Sequence, residues 1–301
     1  MATFTPQFFE LLETRAMDVF FKRQKMCPKL YTELFETRNS TKAFDDAIRV
    51  AGLGNFAVKP EGTPIAFSDP VQGSRVRWVH TAYALGWRAS REMMKDDQYN
   101  VMDRMAADLG DSAAHHLETI TWDVINDGYT GARHTGLEGE VLFSATHQLL
   151  RGGTQSNILN PPIALSQTGL EAALTLNMSM LTDEGRYYCK DFSILLIPPA
   201  LSFTADVLLE TEKKPGSADN DINTVTSSRS GLRPLVSPFI PSTTYWSLHS
   251  ARGSNGLVWS EREALEFMGA SDSETLDQKR YAYRRGNAHF DEWRGNLGGQ
   301  A

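Results

Sequence analysis

No run of eighteen apolar residues occurs anywhere in the 301-residue chain, so nothing in it is long and apolar enough to read as a membrane-spanning helix. The first 25 residues carry acidic side chains and no signal-peptide core, which leads us to expect a protein made and kept in a cytoplasm. Cysteine is almost missing. Cys27 and Cys189 stand far apart with no C-x-x-C pair, which argues against a disulfide framework and a zinc ribbon and leaves both thiols reduced and structural. Catalytic signatures are missing too: there is no G-x-S-x-G elbow, no phosphate-cradling G-x-x-x-x-G-K-[ST] loop, no H-E-x-x-H and no G-x-G-x-x-G. Nor is there an excess of positive charge. With a net charge of -7, the surface as a whole repels a phosphate backbone.

What is present is 41% hydrophobic content, enough for one large domain or two ordinary ones. Thr5 to Lys25 reads as an amphipathic helix with Phe8, Leu11, Leu12, Val19 and Phe20 on one side. It has the look of an arm. From Arg38 to Gly62 the chain is irregular, rich in small residues and punctuated by Gly and Pro, and reads as a linker. A ribbon follows, with "TPIAF" as its first strand, "SRVRWVHTAYALGWRA" as its second, and Asp69, Pro70 and Gly73 in the turn between them. Val79, Thr81, Tyr83, Leu85 and Trp87 share one face of that second strand. A lone two-stranded ribbon is marginal in water, so something else must cover this face: either the protein's own sheet or a second molecule.

Ser90 reads as an N-cap with Glu92 in the first turn, and Asp127-Gly128 as the far end of one continuous helix. Met94, Met102, Met105, Leu109, Ala113, Leu117, Ile120 and Val124 keep helical spacing throughout. Its other face, with Asp97, Asp103, Arg104, Asp108, Asp111 and Glu118, reads as solvated or as meeting another subunit. Further on, "GEVLFSATH" reads as a strand and Ser166 to Asp183 as a capped helix. "DFSILLIPPALSFTADVLLETE" reads as a buried strand, a double proline and a new helix. Glu212 to Gly231 is polar without apolar period and reads as a mobile loop. "LRPLVSPFIP" and "TTYWSLHS" read as strands, and the last extended stretch alternates aromatics with charges.

Two constellations invite a chemical reading. Asp111, His115 and Glu118 recur at i, i+4 and i+7 on the long helix, a pattern that ligates metal in helical bundles. No second helix supplies the Glu-x-x-His partner, and charges at helical spacing more often mark a solvated face. A cytoplasmic metalloenzyme built on these three stays as the alternative from a different class. The Arg and aromatic mix at Arg75, Arg77, Trp78, Tyr83, Trp87 and Arg88 suits stacking on single-stranded nucleic acid. The acidic balance weighs against that, and arginine with tryptophan is also the signature of protein interfaces.

The order of elements is itself informative. An N-terminal arm, a long β-ribbon, a spine helix, an α/β lobe beginning near "SQTGLEAAL" and a closing strand together resemble the major capsid proteins of tailed bacteriophages, of the Hong Kong 97 type. More narrowly, "EGTPIAFSDPVQG", "GWRASREMMKDD", "LFSATH" and "LLIPPALSFTADVLL" resemble the Mu-type prophage major head subunit. The resemblance implies an α+β fold with an arm and linker over 1–57, an E-loop ribbon over 58–89, a peripheral domain with the spine helix over 90–165, an axial domain over 166–261 and a C-terminal return to the peripheral domain over 262–301. It implies a structural subunit without catalytic residue or cofactor, self-assembling as pentamers and hexamers into an icosahedral virion shell around double-stranded DNA in the bacterial cytoplasm. DNA contact would be weak and non-specific. Partners implied are a portal, a scaffolding protein and a cement protein, and the expected assembly contacts are Phe67, Asp69, Arg75, Arg77, Trp78, Arg91, Glu92 and Asp96. No lysine lies between Lys59 and Lys95, so the ribbon lysine that cross-links the type member has no counterpart here. No long helical scaffolding segment precedes the arm, which implies a separate scaffolding protein or one already cleaved. The same fold also serves encapsulin-like nanocompartments, the nearest rival.

Overall fold

The computed structural model describes residues 5–65, 67–96, 100–131, 133–188, 190–211, 213, 222–228, 231–272, 274–275 and 277–300, without the side chains of 5–13, 94–95 and 227–228. The expectations placed on the side chains of Phe8, Leu11, Leu12 and Met94, on Asp97 and Cys189, and on most of the loop from Glu212 to Gly231 lie outside the described residues.

The chain opens with α1 (Thr5–Met26), followed by the short strands β1 (Glu36–Asn39) and β2 (Phe44–Ala51). Then come β3 (Val71–Val79) and β4 (Thr81–Ala89), the one-turn helix α2 (Arg91–Lys95) and the long helix α3 (Val101–Thr130). After β5 (His147–Gln148) and β6 (Thr154–Gln155) the second lobe contains α4 (Gln167–Met178), β7 (Phe192–Ile197), α5 (Ser202–Glu210), α6 (Thr224–Ser228), β8 (Arg233–Val236) and β9 (Trp246–Ser250). A long hairpin, β10 (Leu257–Ser271) with β11 (Gln278–Phe290), and β12 (Asn296–Gly299) close the fold.

Two four-stranded sheets organise it. The first has the order β1-β10-β11-β4, and α1 and α3 pack on it. The second, β12-β9-β7-β8, carries α4 and α5. Its central strand β7, "FSILLI", is buried along almost its whole length, as a continuous apolar run requires of a strand covered on both faces. The main core gathers Trp122, Val124 and Ile125 of α3 with Leu195, Leu196, Trp246, Leu248, Trp259 and Phe290. A smaller cluster of Phe20, Leu109, Phe267 and Ala282 fastens α1 and α3 to the first sheet. There a Cβ on Gly110 would come 2.7 Å from the Phe20 carbonyl oxygen, so glycine permits that close helix approach. The arm-like helix is thus packed against the subunit's own α3.

Ser90 caps α2 as expected, its Oγ accepting from the Met93 N–H at 3.2 Å. The helix, however, does not run on from there. Asn100 takes a left-handed conformation (φ 54°) and α3 starts afresh at Val101, for Asn is one of the few residues that tolerate this region. Thirty residues still make a rod of about 45 Å, closed by Gly131 in the left-handed conformation (φ 77°). On the predicted stripe Leu109, Leu117 and Val124 are buried, and Met102, Met105, Ala113 and Ile120 half-buried.

Four readings are corrected. "TPIAF" forms no strand among its described residues; the partner of β3 is β2, inside the segment read as linker. The second ribbon strand is two strands, since at His80 the chain leaves the ribbon and enters the first sheet. "GEVLFSATH" contributes only His147, the first residue of the short β5, because Leu142 and Phe143 enter the core as a bend rather than along a ladder. The helix read from Ser166 to Asp183 stops at Met178, although its cap is right, with Ser166 Oγ accepting from the Gly169 N–H at 3.1 Å.

Candidate assembly surface

β2 reads "FDDAIRVA", and its alternation is inverted: Arg49 and Ala51 are buried, while Ile48 and Val50 face outward. Strand geometry fixes the rest, because side chains of one phase must share a face. Arg49 is drawn in by charge. Its Nη1 donates to Glu138 at 3.0 Å, and its Nη2 and Nε donate to Asp183 at 2.6 and 3.2 Å. Asp183 also accepts from Arg294 at 3.0 Å, and Glu138 meets the ring of His147, which stacks flat on Trp293 at 3.9 Å. The loop end of the ribbon is therefore bolted to the body through buried, mutually neutralising charges, and Ile48 and Val50 are forced to the opposite face.

β3 pairs with β2 from Phe44↔Val79 to Ala51↔Val71, with a register shift between Ile48 and Val50. Beyond it, residues 52–65 and 67–70 run without regular structure. Nine large apolar side chains between Phe44 and Val79 are exposed, namely Ile48, Val50, Leu53, Phe56, Val58, Ile65, Phe67, Val71 and Val79, with Phe56, Val58 and Phe67 more than 90% so. That is almost half of the exposed large apolar residues described, in about an eighth of the chain. Single exposed apolar residues are ordinary; a concentration of this size marks a surface that another molecule covers.

The sequence-expected contacts fall into three groups. Phe67 and Asp69 are exposed at the far end of the ribbon, and Arg91, Glu92 and Asp96 are exposed on or beside α2. Arg75 and Arg77 sit midway along the ribbon and share one carboxylate: Arg77 Nε donates to Asp46 at 2.9 Å, and Arg75 closes on the same side chain. The bonds from Arg77 and then Arg75 hold Asp46 below the ordinary carboxylate range, and the Arg77 guanidinium also lies 3.8 Å from the centre of the Phe44 ring. Trp78 is turned inward, stacked on His289 at 4.0 Å, and anchors the ribbon to its own subunit. Ile48, Val50, Leu53, Phe56 and Val58 escaped the sequence reading. The signal was there, in the period-two spacing of Phe44, Ile48 and Val50, but the neighbouring glycines obscured it.

Asp111, His115 and Glu118 do not converge. Asp111 is taken by Arg23 of α1 at 2.9 Å and by the Cys27 thiol, His115 leans on Phe239, and Glu118 is buried, accepting from the Trp122 indole at 2.7 Å and the Tyr31 N–H at 3.1 Å. Glu118 therefore leaves the solvated face on which its spacing placed it. Burial pushes its carboxyl above the usual range, more than those two donors pull it down. Among the described residues no group of three potential ligands gathers about a point.

The family model of a phage capsid protein matches residues 73–295, about three quarters of the chain. The chain belongs to the phage capsid protein family. The fold agrees. The procapsid subunit of bacteriophage JBD30 superposes with a TM-score of 0.55 at 12% identity, over 99% of this chain and 76% of that one. The capsid of the native GTA particle gives 0.58 at 13% identity, over 91% of this chain and 90% of that one. That of Mycobacterium phage Patience gives 0.58 at 12%, over 97% and 87%. None of the curated proteins matches the sequence. The capsid protein accordingly has the Hong Kong 97 type of fold and is a structural major capsid protein.

Proposed function

We propose that this capsid subunit uses the outward apolar face of its ribbon to lie on neighbouring copies, closing rings of five and six that tile an icosahedral shell around double-stranded DNA. The inverted strand β2 carries the proposal, since Arg49 is held inward and Ile48 and Val50 outward by the same register. Burying an apolar side chain at a contact stabilises it by about 25 cal/mol per Å². Each subunit touches several neighbours, so individually modest interfaces sum to a persistent shell.

On this reading the peripheral domain holds α3 and the long hairpin, and the axial domain the second sheet with α4 and α5. The subunit needs no catalytic group. It assembles in the bacterial cytoplasm with a scaffolding protein and a portal. The net charge of -7 supports only weak contact with packaged DNA. With no lysine between Lys59 and Lys95, the shell relies on non-covalent contacts or on a cement protein. The match to a phage capsid family favours a DNA-filled head over an encapsulin-like compartment. The narrower Mu-type likeness is supported by the quoted sequence phrases alone. Electron microscopy of the concentrated, purified protein tests the assembly: closed shells support it, and monomers with no higher assembly would overturn it.

A further inference from the structure

β11 shows the same inversion as β2. Its buried phase contains Arg280 and Arg284, and its tyrosines lie on the more open face. Arg284 is 4% exposed, yet neither its Nε nor its Nη1 finds a hydrogen-bond partner. Burial lowers its pKa, with Glu261 the main charge working the other way and no bond between them. Arg284 lines a cleft of about 380 Å³ between α3 and the first sheet, together with Tyr83 and Leu85 of β4 and Leu109, Ala113 and His116 of α3. One wall of this cleft is an unfilled sheet edge. β4 is the outer strand of its sheet, nine residues long; Thr81, Ala82, Ala84, Leu85 and Gly86 are exposed, and Arg88 is its only charge. A long, weakly charged edge of this kind is a template for adding a strand.

The cleft asks for an extended segment with apolar side chains on one face and an acid two residues further along that face. The ribbon end has this arrangement. Ile65, Phe67 and Asp69 are spaced by two, all are exposed, and Pro64 and Pro70 bound the segment so that only a short, fixed length can join a ladder. The loop is held to its own body at its two ends, where Arg151 Nη2 donates to the Gly52 carbonyl at 3.4 Å and to the Asp69 carbonyl at 3.1 Å, while Ile65, Phe67 and the Asp69 side chain stay exposed and available to another copy.

We infer that residues 65–69 of one subunit add as a strand to the β4 edge of a neighbouring copy, with Phe67 in the apolar cleft and the Asp69 carboxylate on Arg284. This rests on the proposed role of the ribbon and names its receptor. Arg284 is then a buried cation with its Nε and Nη1 unbonded in the free subunit and bonded on assembly, which makes the contact selective for an acid at that position.

Two measurements on the full-length chain test it. In the first, amide hydrogen exchange over residues 81–89 is compared between unassembled subunits and wild-type particles. Slowing of tenfold or more on assembly is expected, and unchanged exchange would overturn the inference. In the second, particles of the Phe67→Cys, Leu85→Cys double variant are mildly oxidised. A ladder of covalent multimers on a non-reducing gel is expected, absent from either single variant. Particles that form but yield no ladder would overturn the cleft as receptor while leaving the ribbon's role standing. Protection of 81–89 without the ladder would mean that another segment fills the edge, which also overturns it.

Discussion

Arg49 on the ribbon and Asp183 on the body meet at 2.6 Å, two side chains each about one-tenth exposed and 134 residues apart in sequence. Their pairing sets which face of β2 looks outward. Replacing Arg49 by Met leaves Glu138 and Asp183 facing each other without their shared cation, although Arg294 still reaches Asp183. Breaking one side of a buried ion network costs about 3–5 kcal/mol. We expect a loss of that order in chemical denaturation, and faster hydrogen exchange over β2 and β3. An unchanged midpoint would show that the loop end of the ribbon is held by something else.

Glu118 gives a pH-dependent prediction. Its folded-state pKa is raised by burial, so its contribution to stability is full below the ordinary carboxylate range and is lost as pH rises through the shifted value. A Gln carbonyl can still accept from Trp122 and Tyr31, and Glu118 Oε1 has no partner to lose. Glu118→Gln should therefore match the wild type near pH 4 and melt higher than it at pH 7 and above. A variant that melts lower at pH 8 would contradict the assignment.

His249 acts in the opposite sense. It is wholly buried on β9 between the Ser247 hydroxyl and Asn296 Oδ1, each 2.7 Å away, and burial pushes its pKa down to about 4. The fold holds it neutral, so stability is intact above its ordinary value near 6.5 and falls as pH drops toward 4, by about 3 kcal/mol in all. Thermal melts between pH 7 and 4 should show this slope. His249→Gln should flatten it, and an equal slope in the variant would mean that other groups drive the acid response.

Much of the fold was legible because local chemistry and tertiary packing agreed. The caps at Ser90 and Ser166, the apolar run of β7 and the Leu109–Leu117–Val124 stripe each carried a signal that the packing kept. The first strand of the ribbon was missed because β2 turns a charge inward, Arg49, where a half-buried strand ordinarily shows an apolar residue. The carboxylates that draw Arg49 inward, Glu138 and Asp183, lie 89 and 134 residues away, which no local pattern announces. The ribbon was read with its second strand right and its first wrong, because the partner of β3 lies before the intervening loop rather than within it.

The most direct test of the account is to replace Leu53, Phe56, Val58 and Phe67 together by Ser and to compare thermal melting and electron micrographs with the wild type. All four are exposed in the subunit, so its melting midpoint should move little while shells disappear. Normal shells from the quadruple variant would contradict the claim that the ribbon's apolar face holds the copies together.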